Sequence, residues 1–183
     1  NLAGAFYQPK GVFIDPDLLS TLPTRYVHDG LAEAVKYGCI GDRELFELFE
    51  SIETKEDLEK NIEEIILRSV LQKTKFVEED QYDNGSRQML NFGHTIGHAI
   101  EKYMNFEMTH GECVALGCVA ASYISYKRNY LSWEEYYEIR DMFVPFGLPI
   151  SLESIDADSV LAITRSDKKM TITIACHSLW LDN

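Results

Sequence analysis

Residues 110–124 read HGECVALGCVAASYI, and beyond the first turn almost nothing polar interrupts them. A helix that is apolar on every side cannot face water on any of them and has to be surrounded by other elements. A helix over 110–127 is therefore expected at the centre of the fold. The 3.6-residue spacing of apolar positions elsewhere predicts what surrounds it: helices over 25–40, 43–52, 55–79, 92–104, 133–146 and 157–165. In the segment 55–79, Leu58, Ile62, Ile66 and Val70 mark the expected core stripe. Only two stretches carry strand character, GVFID at 11–15 and a threonine- and isoleucine-rich run at 170–175, so the expected class is mainly α with a short strand at each end. A chain of 183 residues suits one hydrophobic core.

Charge narrows the partners. A formal net charge of −13 opposes binding to nucleic acid or to an anionic membrane, either of which needs a basic face, and points to a small-molecule partner. No run of apolar residues is long enough to cross a bilayer. Cys39, Cys113, Cys118 and Cys176 form no CxxC pair and sit in apolar surroundings, as reduced core thiols of a cytoplasmic protein would. The opening NLAGAFYQP begins without methionine and reads as a cut inside a longer polypeptide.

Polar residues interrupt segments that should be core. Three of the five histidines, His94, His98 and His110, fall within seventeen residues. His94 and His98 lie one turn apart on one helix face, a spacing that core or surface histidines share with metal ligands. Gly93 and Gly97 repeat that spacing and would admit another backbone or a ligand. The helix dipole at the start of 110–127 disfavours an imidazolium and predicts a neutral ring at His110. Glu33 and Lys36 stand among Leu31, Ala32, Ala34, Val35, Cys39 and Ile40; an ion pair three residues apart is the plain explanation, a ligand and its neighbour the alternative. Lys73 continues the stripe of Ile62, Ile66 and Val70, and either snorkels to water or binds an anion. With Arg87 and Asn91, the chain collects an acid, three histidines, several cations and an amide, a set suited to a divalent metal beside an anionic substrate.

The blocks NLAGAFYQPKGVFID, LPTRYVHDGLAEAVKYG, RQMLNFGHTIGHAIE and THGECVALG closely resemble the C-terminal, metal-binding half of the 3-dehydroquinate synthase family, in that family's order. The resemblance covers most of residues 1–120 and rests beyond them mainly on Asp167, Lys168 and Lys169. It implies a helical metal- and substrate-binding domain over 1–183 whose NAD-binding N-terminal half lies outside this chain. By the same resemblance Glu33, His94 and His110 are the ligands of zinc or cobalt, and His98 contacts the substrate phosphate near the proton-transfer chemistry. Lys73 and Arg87 bind the substrate carboxylate, Lys36 and Asn91 contact hydroxyls or phosphate, and one of Lys168 and Lys169 meets the phosphate. Two buried cations, Lys73 and Arg87, are expected around that carboxylate. The implied partners are a phosphorylated keto-acid, the N-terminal half and a second subunit of a homodimer. Sister sugar-phosphate cyclases are the nearest rivals. An iron-type alcohol dehydrogenase would have a histidine one turn after the first acidic ligand, where Tyr37 stands, and a zinc peptidase would need HExxH where HTIGH occurs. A helical interaction module without activity is the remaining alternative.

Overall fold

The computed structural model describes residues 7–83, 85–153 and 155–166. Seven α-helices follow in order: α1 Thr24–Gly41, α2 Arg43–Glu50, α3 Lys55–Glu79, α4 His94–Tyr103, α5 His110–Lys127, α6 Trp133–Asp141 and α7 Ala157–Ser166. Short 3-10 turns stand at Pro16–Thr21, Ser86–Asn91 and Val144–Phe146.

The centre is α5, as its composition demands. Gly111, Cys113, Val114, Ala115, Leu116, Gly117, Cys118, Val119, Ala121, Ser122 and Ser125 are all buried along it. Its start is held by a capping box: the Thr109 hydroxyl accepts from the Glu112 N–H, and the Glu112 carboxylate accepts from the Thr109 N–H at 2.7 Å. Around it pack α4, α1 and α6, with α7 closing over α4 and with α2 and α3 set against α1. One apolar cluster joins α1, α2 and α5 through Val35, Ile40, Phe46, Phe49, Val114 and Phe143. A smaller one joins α4, α5 and α7 through Ile100, Cys113, Leu116 and Val160. Cys39, Cys113 and Cys118 are buried within these cores.

Helices α4 and α5 touch backbone to backbone. Gly93 takes φ +77°, a left-handed conformation that turns the chain into α4. The Gly93 carbonyl lies where a side chain at Gly117 would begin, and the Cys113 carbonyl would sit 2.8 Å from a Cβ at Gly97. The glycine spacing thus admits the α5 backbone, which brings the His94 and His98 turns against the start of α5.

Four expectations need correction. Residues 11–15 are irregular, and no strand occurs among the described residues. The stretch has strand composition but no strand to pair with among the described residues, and its apolar side chains are exposed, Phe13 at 99 %. The helix expected over 133–146 stops at Asp141, because Pro145 has no N–H to bond the Asp141 carbonyl and its ring would strike it. The helix expected from residue 92 begins instead at His94, because Gly93 takes a left-handed conformation just before it. On α3, Leu58, Ile65 and Phe76 form the buried line, whereas Ile62, Ile66 and Val70 are half-buried. That rotates Lys73 outward, and it is exposed. The expected strand over 170–175, with Lys168, Lys169 and Cys176, lies outside the described residues.

Candidate metal and substrate site

Three helices, α1, α4 and α5, meet at one carboxylate. Lys36 on α1 is only 2 % exposed, and its Nζ donates to Glu33 Oε2 at 2.6 Å and to the Leu90 carbonyl at 2.9 Å. The i, i+3 ion pair is therefore real, and it holds the carboxylate in a fixed direction. Glu33 Oε1, buried and without a hydrogen bond, then lies 3.0 Å from His94 Nε2 and 3.6 Å from His110 Nε2.

The tautomer of His94 gives this contact its meaning. His94 Nδ1 lies 3.1 Å from the Phe92 carbonyl, which can only accept, so the ring proton belongs on Nδ1 and the Nε2 lone pair faces Glu33. Two acceptors 3.0 Å apart repel unless a cation, a proton or a metal, lies between them. A tetrahedral zinc with bonds of about 2.0–2.1 Å keeps its donors about 3.3 Å apart, and the two Glu33 separations bracket that value. One carboxylate oxygen and two imidazole nitrogens are also a donor set that zinc and cobalt accept. The residues fit a divalent ion.

Electrostatics agree. Burial by itself would raise the Glu33 pKa, but the neighbouring His110 and His94 imidazoles and the charge of Lys36 more than reverse it, holding the carboxylate ionised far below its ordinary range. The neutral His110 expected from the helix dipole needs correction: its pKa is raised, chiefly by Glu33, with a further contribution from Glu101. A full carboxylate charge at 3.6 Å outweighs the half charge of the helix terminus.

His98 completes the rim. One ring nitrogen from each of His94, His98 and His110 falls within 4.8 Å of the others, and the His98 ring centroid is 5.3 Å from that of His94 and 5.7 Å from that of His110. Asn91, half-buried, ends the 3-10 turn that also supplies the Leu90 carbonyl to Lys36. Lys73 and Arg87 line a separate cleft of about 810 Å³ between the segment 8–14 and α3. They are not the two buried cations expected: Lys73 is exposed, and Arg87 is half-buried with Nη1 donating to the Gln81 carbonyl at 3.0 Å. Lys168 and Lys169 lie outside the described residues.

Two residues of the site escaped the sequence reading. Glu101 Oε2 lies 3.7 Å from His110 Nδ1; its position, seven residues after His94 and three after His98, is the same-face spacing that signals it. Asp29 accepts from the Gly111 N–H at 2.6 Å, and it stands one turn before Glu33 on α1.

No helix among the described residues is long and apolar enough to cross a membrane. The structure resembles solved sugar-phosphate cyclases. A 2-deoxy-scyllo-inosose synthase, crystallised with carbaglucose-6-phosphate, NAD+ and Co2+, is 29 % identical with a TM-score of 0.76, over 92 % of this chain and 47 % of that one. The 2-epi-5-epi-valiolone synthase ValA from Streptomyces hygroscopicus shares the fold at 24 % identity and a TM-score of 0.70, over 82 % of this chain and 43 % of its own. In sequence, the 3-dehydroquinate synthase of Clostridium beijerinckii is 46 % identical over 92 % of this chain and 49 % of its own length. That of Rippkaea orientalis is 43 % identical over 93 % and 48 %. The chain thus spans about half the length of the curated relatives it matches. The family model for the 3-dehydroquinate synthase C-terminal region matches residues 30–170, which include Glu33, Lys36, His94 and His110, and the chain belongs to that family.

Proposed function

We propose that this chain is the metal- and substrate-binding half of a 3-dehydroquinate synthase. The complete enzyme converts 3-deoxy-D-arabino-heptulosonate 7-phosphate to 3-dehydroquinate and phosphate in the shikimate pathway. Most weight falls on Glu33 Oε1, a buried acceptor without a hydrogen bond, 3.0 and 3.6 Å from two imidazole nitrogens on two other helices. Glu33, His94 and His110 would hold zinc or cobalt, which when bound polarises the substrate oxygen being oxidised. The other residues position and protonate. Lys36 takes one oxygen of Glu33 and so commits the other to the metal side. His98, at the rim of the cluster, is suited to a proton at the departing phosphate. Asn91, at the end of the 3-10 turn that precedes α4, contacts hydroxyls. Arg87 and Lys73, facing one cleft, bind the substrate carboxylate, Arg87 with two parallel donors; one of Lys168 and Lys169 meets the phosphate.

NAD, the hydride acceptor, belongs to the N-terminal half, since residues 1–183 contain no GxGxxG cradle. The working enzyme is proposed to be a cytoplasmic homodimer of full-length chains, a carbon–oxygen lyase with its active site between the halves.

A sister cyclase is the second reading, favoured by the inosose synthase likeness; its substrate lacks a carboxylate and leaves Arg87 and Lys73 without an anion to share. Phosphate release measured with metal and NAD tests both. The 183-residue chain alone should give none, the full-length protein should turn over the carboxylate-bearing substrate, and sustained release by the short chain would place the cofactor site wrongly.

A further inference from the structure

We infer that Asp29 is a positioning residue of the metal centre, a latch that sets the distance between Glu33 and His110. It rests on the metal reading above. Arg25, Asp29 and Glu33 stand at i, i+4 and i+8 along one face of α1. They meet three consecutive residues at the start of α5 in reverse order. Arg25 Nη2 reaches Glu112 Oε2 at 3.4 Å, Asp29 Oδ1 accepts from the Gly111 N–H at 2.6 Å, and Glu33 Oε1 lies 3.6 Å from His110 Nε2.

The three contacts differ in rigidity. Arg25 is 61 % exposed in its side chain, and an ion pair of that kind holds little. The Asp29 contact is short, runs to backbone, and is reinforced by the positive end of the α5 dipole. Gly111 makes it possible, because the Asp29 carbonyl and carboxylate occupy the space a Cβ there would need. The residue that follows His110 is therefore fastened directly to the residue one turn before Glu33. Two ligands on separate helices keep a bond-length tolerance of a few tenths of an ångström only if something fixes the helices at that level, and Asp29 is the group that does so.

Co2+ is the probe, since its visible absorption reports coordination geometry as well as occupancy. In the full chain, Asp29→Ala should weaken Co2+ binding by about ten- to a hundredfold, the usual effect of losing a group that orients a ligand, and should alter the visible bands. Asp29→Asn, which keeps an acceptor oxygen, should restore most of the affinity and the wild-type bands. Ser132→Ala removes the capping box at the start of α6, far in sequence from the site, and serves as a control of comparable destabilisation; its Co2+ spectrum should not change. An Asp29→Ala protein with wild-type affinity and bands overturns the latch while leaving the metal reading intact. So does an Asp29→Asn protein as impaired as the alanine variant, or a Ser132→Ala protein impaired like Asp29→Ala. A wild-type chain that binds no Co2+ overturns both.

Discussion

Gly117→Ala should separate α4 from α5 and, with them, His94 from His110. A Cβ at Gly117 would stand 1.9 Å from the Gly93 carbonyl oxygen and 2.8 Å from the Gly97 nitrogen, where real Cβ atoms keep at least 3.0 Å. The helices must therefore part by at least 3.0 − 1.9 = 1.1 Å at that level. The obstacle is backbone at the N-terminus of α4, and the Gly93 carbonyl is already committed to the Gly97 N–H at 2.8 Å, so no side chain can swing aside. Overpacking of this kind costs about 1–3 kcal/mol. With a urea slope of about 2 kcal/mol/M, the unfolding midpoint should fall by roughly 0.5–1.5 M. Metal binding should suffer more than stability, because metal–ligand distances hold within about 0.2 Å and the helices move several times that. Urea denaturation of the full chain, followed by helical circular dichroism, and a Co2+ titration read the two effects separately. Gly30→Ala is the control: nothing lies within 4 Å of its Cβ position in the middle of α1, and it should stabilise by about 0.5–1 kcal/mol. An unchanged midpoint and unchanged Co2+ affinity for Gly117→Ala would refute backbone contact as the device that assembles the site.

In the complete enzyme, Arg87→Ala should lower kcat/KM by about 2–4 kcal/mol for a carboxylate-bearing substrate; steady-state kinetics that match the wild type would give Arg87 another role. The depressed pKa of Glu33 contributes stability above its ordinary 4.5 that is lost as pH falls through the folded value. The raised pKa of His110 contributes stability below its ordinary 6.5 that is lost as pH rises through the folded value. The metal-free chain should therefore gain most from this pair between about pH 4.5 and 6.5, by a modest amount because the side chains are 31 % and 43 % exposed. Metal affinity should run the other way at neutral pH, rising as His110 gives up its proton. Denaturation and chelator competition from pH 5 to 8 measure both, and two flat profiles would contradict the coupling of Glu33 to His110.

Local chemistry was enough to place most helices. The all-round apolar run of α5 and the 3.6-residue spacing over 55–79 each carry their signal locally, and α3 and α5 span the residues expected of them. Family motifs single out Glu33, His94 and His110 as the proposed ligands; periodicity could not. Spacing along α4 pairs His94 with His98, because a helix reports only its own face. Glu33 is 61 residues from His94 and 77 from His110, and it joins them only because glycines let α5 lie against α4 while Asp29 ties α1 to α5. The reverse failure occurred at residues 11–15, where Val12, Phe13 and Ile14 have every preference for a strand. A strand exists only when another strand accepts its hydrogen bonds, and among the described residues none does. Sequence determined which segments coil and which groups could bind a metal; tertiary packing decided which of those groups meet, because contacts between helices depend on the shapes of both surfaces at once.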